Sequence, residues 1–393
     1  MEESTLIQGD SLIKLQQLGD ETIDLLCTDP PYAINFMGRN WDKALPSLEI
    51  FKECYRVLKP GGFAYVMCSV RSDVASRMAI LLEDAGFKIN FSPIYWTYSS
   101  GFPKGYNMGQ SAQKKLTIGS ARRKDRDLKD HGMTRNRWGD QSKGVKADTG
   151  GQIELTHPKA QELANAFGGF QPKPAVELII VAMKQMDQKT FVEQALANKK
   201  GITWLRNCMV PGDDMDRLPS NLSVSDQILG EYSKYFDLDG WWSQRLEALG
   251  FDRESEIFPF AEFKKPNKKE KEAGLENFEL VDGGVYLGNA DSKNNNTFSS
   301  DPARVVKKKR NSHPTVKPIK LFSYLVTLGC ESGATVLDPF MGSGTTGISC
   351  LLNDRQFVGI EMDEKYFQIA EARIDAYKVH ESALSPGNQQ IAK

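Results

Sequence analysis

The sequence predicts an α/β fold: a sheet whose strands are joined by crossover helices. Three observations carry this expectation. Short apolar runs alternate with helix-period segments over the first hundred of the 393 residues, and the alternation returns at His313 after a polar middle. A strand, a glycine turn and a helix start then follow one another at Val336 to Gly347.

Taken in order, Thr5-Leu6-Ile7 and Ile23 to Thr28 read as strands flanking a helix from about Ser11 to Leu18. Leu48, Phe51, Tyr55 and Leu58 recur at helical spacing, and Pro60-Gly61-Gly62 is expected to end that helix. Phe63 to Cys68 is the next strand, Ser72 to Ala85 an amphipathic helix stopped by Gly86, and Lys88 to Trp96 an aromatic-rich strand. Ala175 to Met183 is a lone apolar run of single-strand length. Phe191 to Asn198 reads as a helix. Beyond His313, helices are expected at Pro318 to Cys330, Gly347 to Leu352 and Lys365 to Lys378, strands at Thr335 to Asp338 and Gln356 to Glu361, and a frayed tail from Glu381.

Composition narrows the function class. Hydrophobic residues are 40% and charged residues 26%, and the longest apolar stretch, Val176 to Met183, is far short of a bilayer span and contains Glu177. A cytoplasmic protein with no membrane partner is expected. The six cysteines are scattered without a CxxC pair and there are only four histidines, a pattern of reduced core thiols rather than a metal site. Fifty Lys and Arg against 51 Asp and Glu leave a net charge of -1, so any surface for a polyanion must be local. Residues 114–146 are the main candidate, with 11 Lys and Arg against four Asp; lysine runs lie at Lys264 to Lys271 and Lys307 to Arg310. Arg122, Arg123 and Arg126 are the candidate phosphate contacts. Trp204 and the Trp241-Trp242 pair read as the core of a small subdomain before they read as a groove wedge.

Two turns carry chemistry. In Asp338-Pro339-Phe340-Met341-Gly342-Ser343-Gly344-Thr345, glycines allow positive φ and close backbone approach, and a helix N-terminus follows. Glu361, at the end of the next strand, can accept from both hydroxyls of a ribose. NAD, FAD and S-adenosylmethionine all fit this pattern. Asp338 at the strand tip favours the last, because a carboxylate suits an ammonium better than a pyrophosphate. The second turn, Asp29-Pro30-Pro31-Tyr32, closes a buried strand. Its prolines fix φ and lack N–H groups, which holds the Asp29 and Pro30 carbonyls outward as rigid acceptors for an NH2 group. Accepting both hydrogens of an exocyclic base amine favours its pyramidal form and frees the lone pair, while Tyr32 can stack on the ring.

Both turns together, in this order, resemble the β group of S-adenosylmethionine-dependent DNA amino-methyltransferases of bacterial and phage type. Gln8-Gly9-Asp10-Ser11 looks like that family's opening segment, whose acid lies near the cofactor adenine. Arg56 to Gly62 looks like its helix-to-strand stop, and Tyr95-Trp96 through Gly101-Phe102-Pro103-Lys104 like the strand and loop beside its target-base pocket. His313-Pro314-Thr315-Val316-Lys317-Pro318 is similar to the segment that helps hold the methionine carboxylate, with Lys317 as the cation.

The resemblance implies a Rossmann-like methyltransferase fold: a mostly parallel seven-stranded sheet in circularly permuted order, with a large inserted target-recognition region. The expected organisation is a target-base half at 1–104, a basic insertion at 105–171, a strand returning to the sheet at 172–189, a target-recognition insertion at 190–310, a cofactor half at 311–378 and a tail at 379–393. It also implies the site: Asp29, Pro30, Pro31 and Tyr32 at the target base, and Asp10, Asp29, Lys317, Asp338, Phe340, Gly342, Ser343, Gly344, Thr345 and Glu361 at the cofactor. Double-stranded DNA is the expected substrate, with a homodimer and a cognate restriction endonuclease as further expected partners. Adenine N6 is the expected target because the Asp form of the turn is more usual for adenine; cytosine N4 is the alternative. A cytosine C5 enzyme would need a cysteine after proline, which is absent. More distant alternatives are an NAD-dependent oxidoreductase, which leaves Asp29 to Tyr32 unexplained, and a non-catalytic DNA-binding protein.

Overall fold

The computed structural model describes residues 4–34, 42–98, 107–118, 154–169, 175–212, 215–248, 268–282 and 308–384. The chain divides into two compact units, one of Met1–Ser99 with Val176–Lys393, the other of Ser100–Ala175. In chain order the elements are β1 (Thr5–Gln8), α1 (Ser11–Leu15), β2 (Ile23–Thr28), α2 (Leu48–Val57), β3 (Leu58–Cys68), α3 (Ser72–Asp84) and β4 (Ile94–Thr97), then α4 (Met108–Ile118) and α5 (Pro158–Gln161) of the second unit. The first unit resumes with β5 (Val176–Met183), α6 (Phe191–Asn198), β6 (Leu222–Val224), α7 (Leu238–Ala248), α8 (Lys268–Glu272), β7 (Val281–Asp282) and β8 (Lys308–Lys309). It ends with α9 (Ile319–Gly329), β9 (Thr335–Asp338), α10 (Thr345–Leu352), β10 (Gln356–Glu361) and α11 (Glu364–Leu384).

Among the described residues the main sheet has eight strands, in the order β1-β10-β9-β2-β3-β5-β4-β6. All neighbours run parallel except β5, which is antiparallel to both β3 and β4. Seven of these strands, and their permuted order, are those expected from the sequence. The lone apolar run at Val176–Met183 is the antiparallel strand, hydrogen-bonded on both sides, which is why an apolar segment stands alone in a polar stretch.

Three local expectations need correction. Pro60-Gly61-Gly62 does not separate helix from strand: α2 passes directly into β3, which contains these residues, and the pairing with β2 shifts register between Ile23 and Leu25 to absorb them. The strand expected over Lys88 to Trp96 is only Ile94–Thr97, because Lys88 makes a single isolated bridge to Met183 before the chain passes Pro93. The eighth strand, β6, pairs parallel with β4 from within the segment expected as an insertion, and three residues are too few to show a periodicity.

Alternate residues of the strands feed two cores. On one face Leu26, Ala64, Val66, Ile180 and Leu337 pack with Leu15, Phe51, Val57, Met78 and Leu82 from α1, α2 and α3. On the other, Leu25, Tyr65, Ile179 and Val336 meet α7, α9, α10 and α11. Every residue of the largely apolar α9 is buried, including Lys320, whose ammonium pairs with Asp239. Trp241 and Trp242, 3% and 0% exposed, belong to this second core, with Trp241 edge-on to Tyr324 at 5.3 Å. They therefore serve neither a separate subdomain nor a groove wedge. Residues 191–248 likewise lie in the compact unit of the sheet. All six cysteines are buried and free.

Within the second unit, α4 and α5 are tied by Gln113, whose amide donates to Thr156 Oγ1 at 2.8 Å and accepts from the His157 amide at 2.9 Å. Arg122, Arg123 and Arg126, the loop at 101–104 and the run from Lys264 to Pro266 lie outside the described residues. Among the described residues no helix is long and apolar enough to cross a membrane.

Candidate active site

Because β1, β10, β9 and β2 are parallel neighbours, their C-terminal ends share one edge of the sheet, the edge where open α/β sheets carry their sites. Asp10 follows β1, Glu361 ends β10, the glycine turn follows β9 and the Asp-Pro-Pro-Tyr turn follows β2. The two turns are directly joined. The Thr28 hydroxyl, at the end of β2, donates to Asp338 Oδ1 at 2.6 Å, across 310 positions of sequence.

Asp338 is 2% exposed and accepts two further hydrogen bonds, from Thr346 Oγ1 at 2.5 Å and from the Phe340 amide at 3.0 Å. Burial pushes its carboxyl up to about 6 even though the three donors pull it down. The glycine turn then folds around protein groups. Gly342 and Gly344 have φ of 56° and 79°, and a Cβ at these positions would come within 2.9 Å of His313 Nε2 and 3.1 Å of Ala370. These glycines are therefore required by the packing of the turn itself, a reason the sequence motif does not reveal. Ser343 is held from behind by the buried Arg373, whose guanidinium donates to the Ser343 carbonyl and, at 3.1 Å, to its hydroxyl. Phe340 is half-buried beside them. Gly344 caps α10 with no side-chain hydrogen bond to its first-turn amides.

Glu361 accepts from the amides of Gly342 at 2.9 Å and Asp363 at 2.8 Å, and burial pushes its carboxyl up to about 7 against those bonds. Asp10 is exposed and caps α1, accepting from the amides of Leu12 at 2.9 Å and Ile13 at 3.2 Å. Its neighbour Ser11 donates to the Pro339 carbonyl at 2.6 Å, which fixes the Asp10 turn against the start of the glycine turn.

At the other turn Pro30 is buried and Asp29, Pro31 and Tyr32 are partly so. The Tyr32 hydroxyl donates to Asp29 Oδ1 at 2.6 Å, and the Tyr32 amide to Asp42 at 2.8 Å. Burial, then the charges of Asp29 and Glu177, hold the Tyr32 hydroxyl well above its ordinary range. Lys317 lies against the same turn. Its ammonium lies 2.5 Å from Asp29 Oδ2 and 3.3 Å from Glu177 Oε2, and 5.5 Å from the centre of the Tyr32 ring. Burial works against this charge, but the two carboxylates outweigh it and hold the ammonium above the ordinary lysine value. The ammonium thus pairs with a carboxylate of the Asp-Pro-Pro-Tyr turn. Its own carbonyl accepts from Thr345 Oγ1 at 3.4 Å, so its backbone remains on the glycine turn.

Sequence reasoning did not single out Thr28, Thr346, Glu177 or Tyr98 as site groups. Only Glu177 carried a signal, as the one charge inside the apolar run of β5.

A buried acid on a strand tip, a glycine turn, the Glu361 carboxylate and a proline-stiffened acid–aromatic turn thus share one edge of the sheet. The family model described as DNA methylase matches residues 23–372, and the chain belongs to that family, which covers the adenine N6 and cytosine N4 types. It is similar to the type II methyltransferase M2.DpnII of Streptococcus pneumoniae, 39% identical over 18% of this chain and 26% of that protein. It is also similar to the type II methyltransferase M.SmaI of Serratia marcescens, 48% identical over 16% of this chain and 22% of that protein. These matches span roughly a quarter of the curated relatives' length. Among solved structures, PvuII DNA methyltransferase, described as cytosine-N4-specific, aligns over 96% of this chain and 92% of its own at 15% identity and a TM-score of 0.44.

Proposed function

We propose that this protein transfers a methyl group from S-adenosylmethionine to the exocyclic amine of a base flipped out of double-stranded DNA, with adenine N6 as the target. The observation that carries this reading is the Thr28–Asp338 hydrogen bond, which sets the amine-accepting turn and the glycine turn side by side on neighbouring strands. The Asp form of the Asp29-Pro30-Pro31-Tyr32 turn supports adenine over cytosine N4.

The residues present fit the cofactor. Glu361 ends β10 as a carboxylate acceptor for the ribose hydroxyls, and the uncapped start of α10 at Gly344 supplies backbone donors. Asp10 stands on the adenine side; Asp338, Phe340, Gly342, Ser343 and Thr345 form the wall for the methionine moiety. S-adenosylmethionine supplies a methyl group on a positively charged sulfur.

The chain's own groups prepare the nucleophile. Asp29 and the Pro30 carbonyl accept the two amine hydrogens, which localises the nitrogen lone pair, and Tyr32 stacks on the extruded ring, a contact worth roughly 1–3 kcal/mol. Flipping costs a few kcal/mol, which that stacking offsets. Bound S-adenosylmethionine would supply the methyl group to the amine nitrogen, which would then lose one proton, with the Asp29 carboxylate as its acceptor. The products are the methylated base and S-adenosylhomocysteine.

The test is nucleoside mass spectrometry of DNA incubated with the protein and S-adenosylmethionine labelled in its methyl group. Labelled N6-methyladenine is expected. Labelled N4-methylcytosine would overturn the adenine assignment alone, and the absence of any labelled base would overturn the reading.

A further inference from the structure

Resting on the reading above, we propose that Arg373 and Glu270 are positioning residues for the cofactor: they fix two walls of its site to α8, Arg373 through Ser343 of the glycine turn and Glu270 through Ile319 at the start of α9. Both are buried, at 0% and 2% exposed, and act through the groups they hold.

Packing alone would favour an apolar residue in place of Arg373. The inward stripe of α11 is Tyr366, Ile369, Ala370, Arg373, Ile374 and Tyr377, and Arg373 is the one charge in it. Enclosing a guanidinium costs more than enclosing an apolar side chain of similar size, and burial lowers its pKa to about 10. What the charge achieves is a span between two segments. Nη1 donates to the Ser343 carbonyl and, at 3.1 Å, to the Ser343 hydroxyl, while Nη2 donates to the Glu270 carbonyl at 3.3 Å. A planar fork with donors fixed in direction spans both; a single ammonium does not. On the far side of the same peptide, the Gly344 amide donates to the Met341 carbonyl at 3.0 Å. The Ser343–Gly344 peptide is thus held at both polar atoms, where Gly344 takes a φ of 79°.

Glu270 holds the neighbouring wall. It accepts from the Ile319 amide at 2.9 Å, one of the donors that the start of a helix leaves without an intrahelical partner. The Ile319 carbonyl in turn accepts from the Ser349 hydroxyl of α10 at 3.1 Å. Two residues upstream is Lys317, whose carbonyl meets Thr345 of the glycine turn. Burial raises the Glu270 carboxyl to about 7, and the Ile319 amide with the charges of Arg373, Lys320 and Lys271 keeps it from rising further. The seat of α8 is closely specified. Just past its end Gly274 has a φ of 80°, and a Cβ there would lie 2.6 Å from both the Ala372 carbonyl and the Ala376 Cβ of α11. The next residue, Leu275, is buried against Tyr366 and Ile369. A short helix from the segment expected as a target-recognition insertion is thereby built into the cofactor half.

The test is titration calorimetry of the full chain with S-adenosylhomocysteine, with single-turnover transfer at saturating S-adenosylmethionine and urea unfolding measured on the same proteins. Arg373→Lys keeps the charge and loses the fork. It should weaken S-adenosylhomocysteine binding about 10- to 100-fold, the size of a hydrogen bond to a charged group, and slow transfer by a smaller factor, because saturating cofactor restores the shape of the turn. Glu270→Gln keeps an oxygen for the Ile319 amide and should bind within about threefold of wild type, whereas Glu270→Leu, which removes the acceptor, should bind about 10-fold more weakly. Wild-type affinity in Arg373→Lys or Glu270→Leu would overturn the proposal, as would Glu270→Gln binding as weakly as Glu270→Leu. A fall in transfer equal to the fall in affinity would overturn it too, and so would a lower urea midpoint with unchanged affinity, by showing that the pair only holds the fold. Each comparison starts from a wild type that binds S-adenosylhomocysteine and methylates DNA; a wild type that does neither refutes the function, whereas variants that match a working wild type refute this inference alone.

Discussion

The hydroxyl of Thr28 and the carboxylate of Asp338 meet at 2.6 Å, the last residue of β2 against the last residue of β9. The bond closes the edge on which both functional turns stand, and it satisfies a carboxylate that is 2% exposed. Removing the donor with Thr28→Val, close in shape and well suited to a strand, leaves Asp338 with Thr346 and the Phe340 amide alone. The expected loss is about 1.5–3 kcal/mol, the range for a hydrogen bond to a buried charged group, measured by urea unfolding at neutral pH. A change below about 0.5 kcal/mol, the scatter of a neutral surface substitution, would show that the bond contributes little.

Asp338 also makes stability depend on pH. Its carboxyl is raised from 3.8 to about 6 in the folded protein, so the native state holds a proton that the unfolded chain has already released. Stability from this group is therefore full below 3.8 and falls as pH rises to about 6, by roughly 3 kcal/mol in all. Asp338→Asn carries no such titration. Relative to wild type, the variant should gain stability as pH rises from 4 to 7, and parallel urea midpoints for the two proteins over that range would contradict the shift.

Glu361 gives a binding signature of the same chemistry. Burial raises its carboxyl to about 7, and two ribose hydroxyls are better accepted by the ionised form. S-adenosylhomocysteine should bind progressively more weakly as pH falls through 7 toward 5.5, followed by titration calorimetry. Glu361→Gln should bind more weakly at pH 8 and show a flatter profile. A wild-type affinity independent of pH across this interval would argue that Glu361 does not face the ribose.

The strands and both turns were legible in the sequence because they rest on local signals, short apolar runs, prolines that remove donors and glycines before a helix, while the order of the seven strands came with the resemblance that the two turns carry. What joins them was not. Thr28 and Thr346 are ordinary residue types whose partner, for Thr28, lies 310 positions away, and nothing in a hydroxyl's neighbourhood of sequence announces a distant carboxylate. Lys317 was legible as a loop cation whose role the resemblance implied; its ion pairs with Asp29 and with Glu177, which arrives from an antiparallel strand, join segments far apart in sequence and leave no local signal. The positive φ read from the glycine motif is present at Gly342 and Gly344, but that His313 and Ala370 also crowd these positions had no sign in the sequence.

The basic stretch offers a test that needs no structural detail. If Arg122, Arg123 and Arg126 neutralise DNA phosphates, each releases counterions, and replacing all three with Ala should reduce the slope of log affinity against log salt by about 2–3. An unchanged slope, read from fluorescence anisotropy over a salt series, would remove these residues from the interface.

Asp29 should separate chemistry from cofactor binding. Its carboxylate faces Tyr32 and Lys317, and the bonds that shape the cofactor side, from Thr28 and Thr346 to Asp338 and from Gly342 to Glu361, do not involve it. Asp29→Ala removes the amine acceptor and leaves Lys317 paired with Glu177 alone. Transfer should fall by at least about 100-fold, the upper range for one charged hydrogen bond, with S-adenosylhomocysteine affinity close to wild type. Equal losses in both measurements would mean that Asp29 holds the cofactor, and near-normal transfer would mean that the Pro30 carbonyl alone suffices to accept the amine.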